Sequence, residues 1–115
     1  MTWSDSSPAD NVQSYEDIDL AASGYIAVHV QIEITWDAGS SDYADVNIYG
    51  SANSGTDIDT IAISSQRIED DPGNTTKLSF LVENLPYIRV EVDNQSNAEI
   101  SSLVGQFAGL KYSSA

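Results

Sequence analysis

The sequence predicts a single all-β domain, an antiparallel sandwich of about eight strands. Three observations carry this expectation. Apolar residues recur with period two in several segments, most clearly over Tyr25–Trp36. Turn-forming clusters of Gly, Pro, Asn, Asp and Ser separate those segments at roughly 10–15 residue spacing. No segment carries a helical apolar stripe over ten residues or more.

Tyr25 to Trp36 is the strongest element. Ile26, Val28, Val30, Ile32, Ile34 and Trp36 fall on one face, and Tyr25, Ala27, His29, Gln31, Glu33 and Thr35 on the other. β-branched residues at this period describe a strand buried on one side only. Tyr15, Ile18 and Leu20 form a weaker strand before it. After the loop signals of residues 37–42, Ala44, Val46 and Ile48 alternate with Asp45, Asn47 and Tyr49 up to Gly50. A turn follows at residues 51–55. Ile58, Ile61 and Ile63 then break parity, which predicts a bend or bulge. Glu69-Asp70-Asp71-Pro72-Gly73-Asn74 is the strongest turn of the chain. Leu78, Phe80 and Val82 line one face of the next strand, and Ile88, Val90 and Val92 one face of another. Residues 93–97 read as a hairpin loop, and Ile100 to Tyr112 as a last strand or pair of strands interrupted by Gly105 and Gly109. The expected core is Ile26, Val28, Val30, Ile32, Ile34, Val46, Ile48, Leu78, Phe80, Val82, Ile88, Val90 and Val92.

Residues 1–13 carry Ser, Asp, Asn and Pro without periodicity. They are expected to be an N-terminal arm, with Trp3 as the anchor that would dock on a neighbouring chain or fold back on its own domain. Residues 14–115 are then the sandwich. Met1 to Asp5 has neither the basic region nor the apolar run of a secretory signal.

Charge narrows the function classes. Four basic residues, Arg67, Lys77, Arg89 and Lys111, face 18 acidic ones, a net charge of −14. Such a surface repels phosphate backbones and anionic lipid heads, so neither nucleic acid nor membrane is an expected partner. Solubility accounts for the acidity; so does steered docking onto a basic protein surface. There is no cysteine, which removes disulfides, thiolate metal sites and thiol nucleophiles together.

No catalytic constellation is legible. Nucleophilic catalysis needs a nucleophile, a base and an orienting group, and the single histidine, His29, lies mid-strand on the polar face. Carboxylate pairs such as Asp57/Asp59 and Glu69/Asp70/Asp71 sit near turns, where solvated loop charge explains them. Asp37, Asp42 and Asp45 around one loop, and Asp70, Asp71 and Asn74 around another, are oxygen-rich enough to be weighed for a cation. Neither follows the spacing of a calcium loop, and no metal or cofactor is expected. Trp36, Tyr43 and Tyr49 surround one region and would suit a sugar platform. Trp36 is in register with the apolar face, however, and reads as core, whereas Tyr43 and Tyr49 are out of register with it and read as interface residues.

Three stretches taken together resemble a known family. They are Gly24-Tyr25-Ile26-Ala27-Val28-His29-Val30-Gln31-Ile32, Ala44-Asp45-Val46-Asn47-Ile48-Tyr49-Gly50-Ser51, and Leu85-Pro86-Tyr87-Ile88-Arg89-Val90-Glu91-Val92 followed by Asn97-Ala98-Glu99-Ile100. Their order, over about residues 14–112, resembles the small jelly-roll proteins that decorate or cement the capsids of tailed bacteriophages. The resemblance implies a jelly-roll-like sandwich, no catalysis, and a place on the outer surface of the virion. It implies the major capsid protein as partner and self-association as a dimer or trimer. The candidate interface residues are Trp3, Tyr25, His29, Tyr43 and Tyr49. A carbohydrate- or receptor-binding sandwich of a phage tail, a fibre or a secreted protein is the alternative.

Overall fold

A computed structural model of the chain describes residues 2–5, 13–52, 57–83, 85–94 and 100–111. The strands, in chain order, are β1 (Thr2–Asp5), β2 (Gln13–Asp19), β3 (Tyr25–Trp36), β4 (Tyr43–Ser51), β5 (Ser64–Glu69), β6 (Thr75–Glu83), β7 (Tyr87–Asn94) and β8 (Ile100–Lys111). A single helical turn, α1 (Leu20–Ser23), lies between β2 and β3.

The strands form two four-stranded antiparallel sheets, ordered β1-β8-β3-β6 and β2-β7-β4-β5. Strands whose numbers add to nine pair throughout: β1 with β8, β2 with β7, β3 with β6 and β4 with β5. Two further pairings, β3 with β8 and β4 with β7, complete the sheets. This is a long hairpin rolled into a sandwich, which is the jelly-roll topology.

The inner faces supply one core. Val28, Val30, Ile32, Ile34 and Trp36 of β3, Ala44, Val46 and Ile48 of β4, Ile88, Val90 and Val92 of β7 and Leu103 and Phe107 of β8 pack together. Trp36 is buried, and its indole N–H donates to the Thr76 hydroxyl at 3.0 Å. An indole enters an apolar core at low cost when its N–H finds such a partner. Leu78 and Phe80 are half-buried against the same cluster, and Val82 is fully inside.

The ends of the strands are fastened by local chemistry. The Asp19 side chain caps α1, accepting from the Ala22 backbone N–H at 2.9 Å, and Gly24 ends the turn at φ 73°, a left-handed conformation suited to glycine. This geometry drops Leu20 into the core. Between β5 and β6, Gly73 adopts φ 76°. The turn is tied to the end of β3 by Trp36 N–H to Asn74 C=O at 2.9 Å and Gly73 N–H to Trp36 C=O at 3.2 Å.

Three sequence expectations are corrected. First, the segment assigned to an N-terminal arm contributes a strand. The backbone of Thr2–Asp5 pairs with β8, Trp3 opposite Gly105. Four residues at a sheet edge join through backbone hydrogen bonds, so they need no hydrophobic period. The sandwich thus starts before residue 14, while residues 6–12 of the expected arm lie outside the described residues. Second, Ile26 is 45% exposed rather than core. The register of β3 on β8 steps from Tyr25–Lys111 to Ala27–Leu110, leaving Ile26 as the extra residue of a bulge. A bulge reverses parity, so Ile26 faces out and Tyr25 packs against the core. Third, Ile58, Ile61 and Ile63 belong to no strand, and Ile61 is 81% exposed. β5, for which the sequence offers no apolar alternation, buries only Ile68 and lies at a sheet edge. The last segment is one continuous strand.

Candidate functional site

The outer face of the β2-β7-β4-β5 sheet concentrates the chain's polar and aromatic chemistry. Alternation places Tyr15 and Asp17 of β2, Tyr87, Arg89, Glu91 and Asp93 of β7, Tyr43, Asp45, Asn47 and Tyr49 of β4 and Ser65 and Arg67 of β5 on this side. Register then brings them into rows. Asp17 stands opposite Arg89, and Arg89 opposite Tyr49; Tyr15 stands opposite Glu91, and Glu91 opposite Asn47.

The Asp17–Arg89 row is tightly bonded. Arg89 Nε and Nη2 donate to the two Asp17 oxygens at 2.6 Å and 3.0 Å, a bidentate pair. The Tyr87 hydroxyl donates to the same carboxylate at 2.7 Å. Burial pushes the Asp17 carboxyl up, but the hydrogen bonds from Arg89 and Tyr87 and the guanidinium charge outweigh it, and its pKa falls below the usual 3.8. The hydrogen bond to Asp17, with burial behind it, raises the Tyr87 phenol to about 12. The Arg89 guanidinium lies 4.3 Å from the Tyr15 ring centroid.

Two strands away the pattern repeats. Arg67 lies 3.6 Å from the Tyr43 ring centroid and 3.6 Å from Asp45 Oδ1. Each arginine of the chain therefore combines a tyrosine face with a carboxylate, which satisfies both the planar guanidinium and its charge.

Between these two clusters sits Glu91, only 8% exposed despite its charge. Its Oε1 accepts from Asn47 Nδ2 at 3.1 Å and from the Tyr49 hydroxyl at 3.5 Å. Asn47 is itself fixed by the Ser65 hydroxyl. Burial, then the charge and hydrogen bond of Glu91 and the charge of Asp93, raises the Tyr49 pKa above 10. A cavity of about 240 Å³ opens here, lined by Tyr49, Ile58, Asp59, Thr60, Arg89 and Glu91. Its rim is the segment after β4, held along the β4 edge by Asp59 N–H to Gly50 C=O at 2.9 Å and Ile63 N–H to Ile48 C=O at 2.8 Å. The parity break at Ile58–Ile63 thus falls in a non-strand segment whose residues 58–60 form a wall of the pocket.

The residues singled out from sequence do not gather in one place. Tyr43 and Tyr49 share the face just described, both half-buried. His29 is exposed on the outer face of the other sheet, opposite Leu81 and Ala108, separated by the core from the carboxylates around Arg89. Tyr25 lies at the end of β3 with its ring against Gly109 and Lys111 5.7 Å from its centroid. The Trp3 backbone is on β1, and its side chain lies outside the described residues. The two oxygen-rich loops are neighbours, but their carboxylates are dispersed. Asp37 accepts from Gly39 N–H at 2.9 Å, Asp71 accepts from Asn74 at 2.9 Å, and Asp45 faces Arg67. Among the described residues no three acidic or histidine side chains converge to hold a metal ion.

Sequence reasoning missed Asp17, Arg89, Glu91 and Tyr87. The available signal was the alternation of Tyr87, Arg89, Glu91 and Asp93 with Ile88, Val90 and Val92, an outward row richer in charge than a solvated strand needs. No family model matches the sequence, and a search of the curated proteins finds no match.

Proposed function

We propose that this chain is a non-catalytic structural protein of a virion, a decoration protein that docks on the outer surface of the major capsid protein lattice and stabilises the head. The supporting observation is a jelly-roll sandwich whose two arginines are engaged by carboxylates of its own surface. Arg67 and Arg89 lie on tyrosines and carboxylates, Lys111 lies near Tyr25, and Lys77 stands opposite Glu33 in the β3–β6 register. Most of the net charge of −14 is then left facing outward, which favours a basic protein partner and steered association. The resemblance of the β3, β4 and β7 segments to capsid-decorating jelly rolls points the same way. Self-association as a dimer or trimer would multiply weak contacts into stable attachment.

The test is a mass-spectrometric inventory of purified, intact particles of a phage encoding this chain, combined with deletion of its gene. The expected result is the chain in many copies per particle, released by salt, with heads of the deletion strain less resistant to heat. Its absence from particles would overturn the proposal.

A further inference from the structure

We infer that the cavity bounded by Tyr49, Glu91 and Asp59 is a socket for an arginine side chain presented by a partner protein. This deepens the reading of the chain as a protein-docking module and rests on it for the identity of the partner as a protein.

The same face already holds two arginines of its own. Arg67 is held between Tyr43 and Asp45, and Arg89 between Tyr15 and Asp17. Tyr49 and Glu91 offer the same two groups in another arrangement: they lie on neighbouring strands and the Tyr49 hydroxyl donates to Glu91, whereas the tyrosine and aspartate that hold each arginine lie two residues apart on one strand. The chain's own basic side chains are committed elsewhere. Arg67, Arg89 and Lys111 lie over Tyr43, Tyr15 and Tyr25, and Lys77 is on β6 of the opposite sheet. With four Lys and Arg in total, a guanidinium for Tyr49 and Glu91 has to come from another molecule.

Charge selects a cation over a neutral ligand. Arg89 contributes to the wall, but its charge is offset by the bidentate contact with Asp17. Glu91 and Asp59 line the cavity and Asp93 lies one row away, so the local balance is negative. Glu91 is already desolvated, which strengthens its attraction for a cation brought into contact. Asn47 and Tyr49 both donate to Oε1 and hold the carboxylate in a fixed orientation. Shape agrees with this. About 240 Å³ is many times the ~10–15 Å³ that a single water needs, room for a guanidinium and part of its stem. Ile58 gives the methylene stem an apolar wall, and the Tyr49 ring gives the planar head a stacking surface.

The test uses the purified full chain and a small probe, so that its outcome does not depend on any particle. Nα-acetyl-L-arginine methylamide is titrated while backbone amide NMR shifts are followed, with the citrulline analogue, uncharged and nearly isosteric, as control. The expected result is saturable shifts at Tyr49, Ile58–Thr60 and Glu91, with a Kd of about 1–10 mM, in the range of single-side-chain affinities. D59N and E91Q should each weaken binding several-fold, D59N serving where E91Q perturbs folding, and added salt should weaken it further. Absence of saturable shifts overturns the socket, and so does equal binding of the citrulline analogue. Failure here with the chain still present on particles would reject the socket alone; success here with the chain absent from particles would reject the capsid.

Discussion

Asp17 and Arg89 stand directly opposite each other on β2 and β7, yet lie 72 positions apart in the chain, and join through two parallel hydrogen bonds at 2.6 Å and 3.0 Å. β2 is an edge strand, so this pair and the Tyr87 contact fasten the rim of the sheet to its interior.

The Asp17 pKa is lowered in the folded chain. Such a group contributes stability above its unfolded pKa, and that contribution is lost as pH falls through the folded value. D17N should therefore cost about 1–3 kcal/mol at pH 7. The gap from the parent chain should narrow as pH drops below about 4. Urea unfolding at pH 7 and pH 3 checks this, and a gap that persists undiminished in acid would contradict it.

Tyr87 makes the converse prediction at high pH. Its folded pKa is raised to about 12, so its contribution is complete below the unfolded value near 10 and is lost as pH rises through about 12. Ultraviolet titration of the folded chain should show Tyr87 ionising last, after the exposed tyrosines and after Tyr49, whose pKa is also raised, and Y87F should remove that last step alone. A last step unchanged in Y87F would reject the assignment.

Gly109 has no room for a side chain. A Cβ there would collide with the Tyr25 ring, which lies across the glycine. G109A should destabilise the fold by about 1–3 kcal/mol, the usual cost of overpacking. Adding Y25A should cost less in the G109A background than in the parent, because removing the ring there also relieves the clash. Strict additivity in a double-mutant cycle would show that the two do not meet.

The bulge at Ile26 separates two isoleucines of one strand. I32A should cost about 2–5 kcal/mol, as expected for a core site. I26A, on an exposed residue, should stay within about 0.5 kcal/mol. Comparable losses would place Ile26 in the core and remove the bulge.

These contrasts also mark how far the sequence could be read. β3 and β7 were legible because half-buried strands write their burial directly into period two, from Val28 to Trp36 and from Ile88 to Val92. β1 and β5 were not, since an edge strand such as Ser64-Ser65-Gln66-Arg67 is specified by backbone pairing rather than by buried side chains. Ile26 and Tyr25 exchanged faces because a bulge is one residue of register, set by the partner β8 and invisible along β3 alone. The Asp17–Arg89 pair and the Tyr49–Glu91 cavity needed cross-strand register for the same reason. As interface residues, only Tyr43 and Tyr49 of that face stand out in the sequence, through their parity against Val46 and Ile48; Asp45 stands out there only as a candidate cation ligand.

The rolled-hairpin topology has a kinetic consequence. Of the six strand pairings among the described residues, only β4 with β5 joins neighbours in the chain. Every other ladder waits for the closure of a longer loop, whose entropy must be met before any contact rewards it. Folding belongs in the millisecond-to-second range of non-local β proteins. The central β4–β5 hairpin is the natural place to start, and β1 on β8, the most distant pairing in sequence, the natural place to finish. Until that last step the edge of β8 stays open to any extended strand that reaches it, so crowded synthesis of many copies exposes the chain to exchange of β1 between molecules.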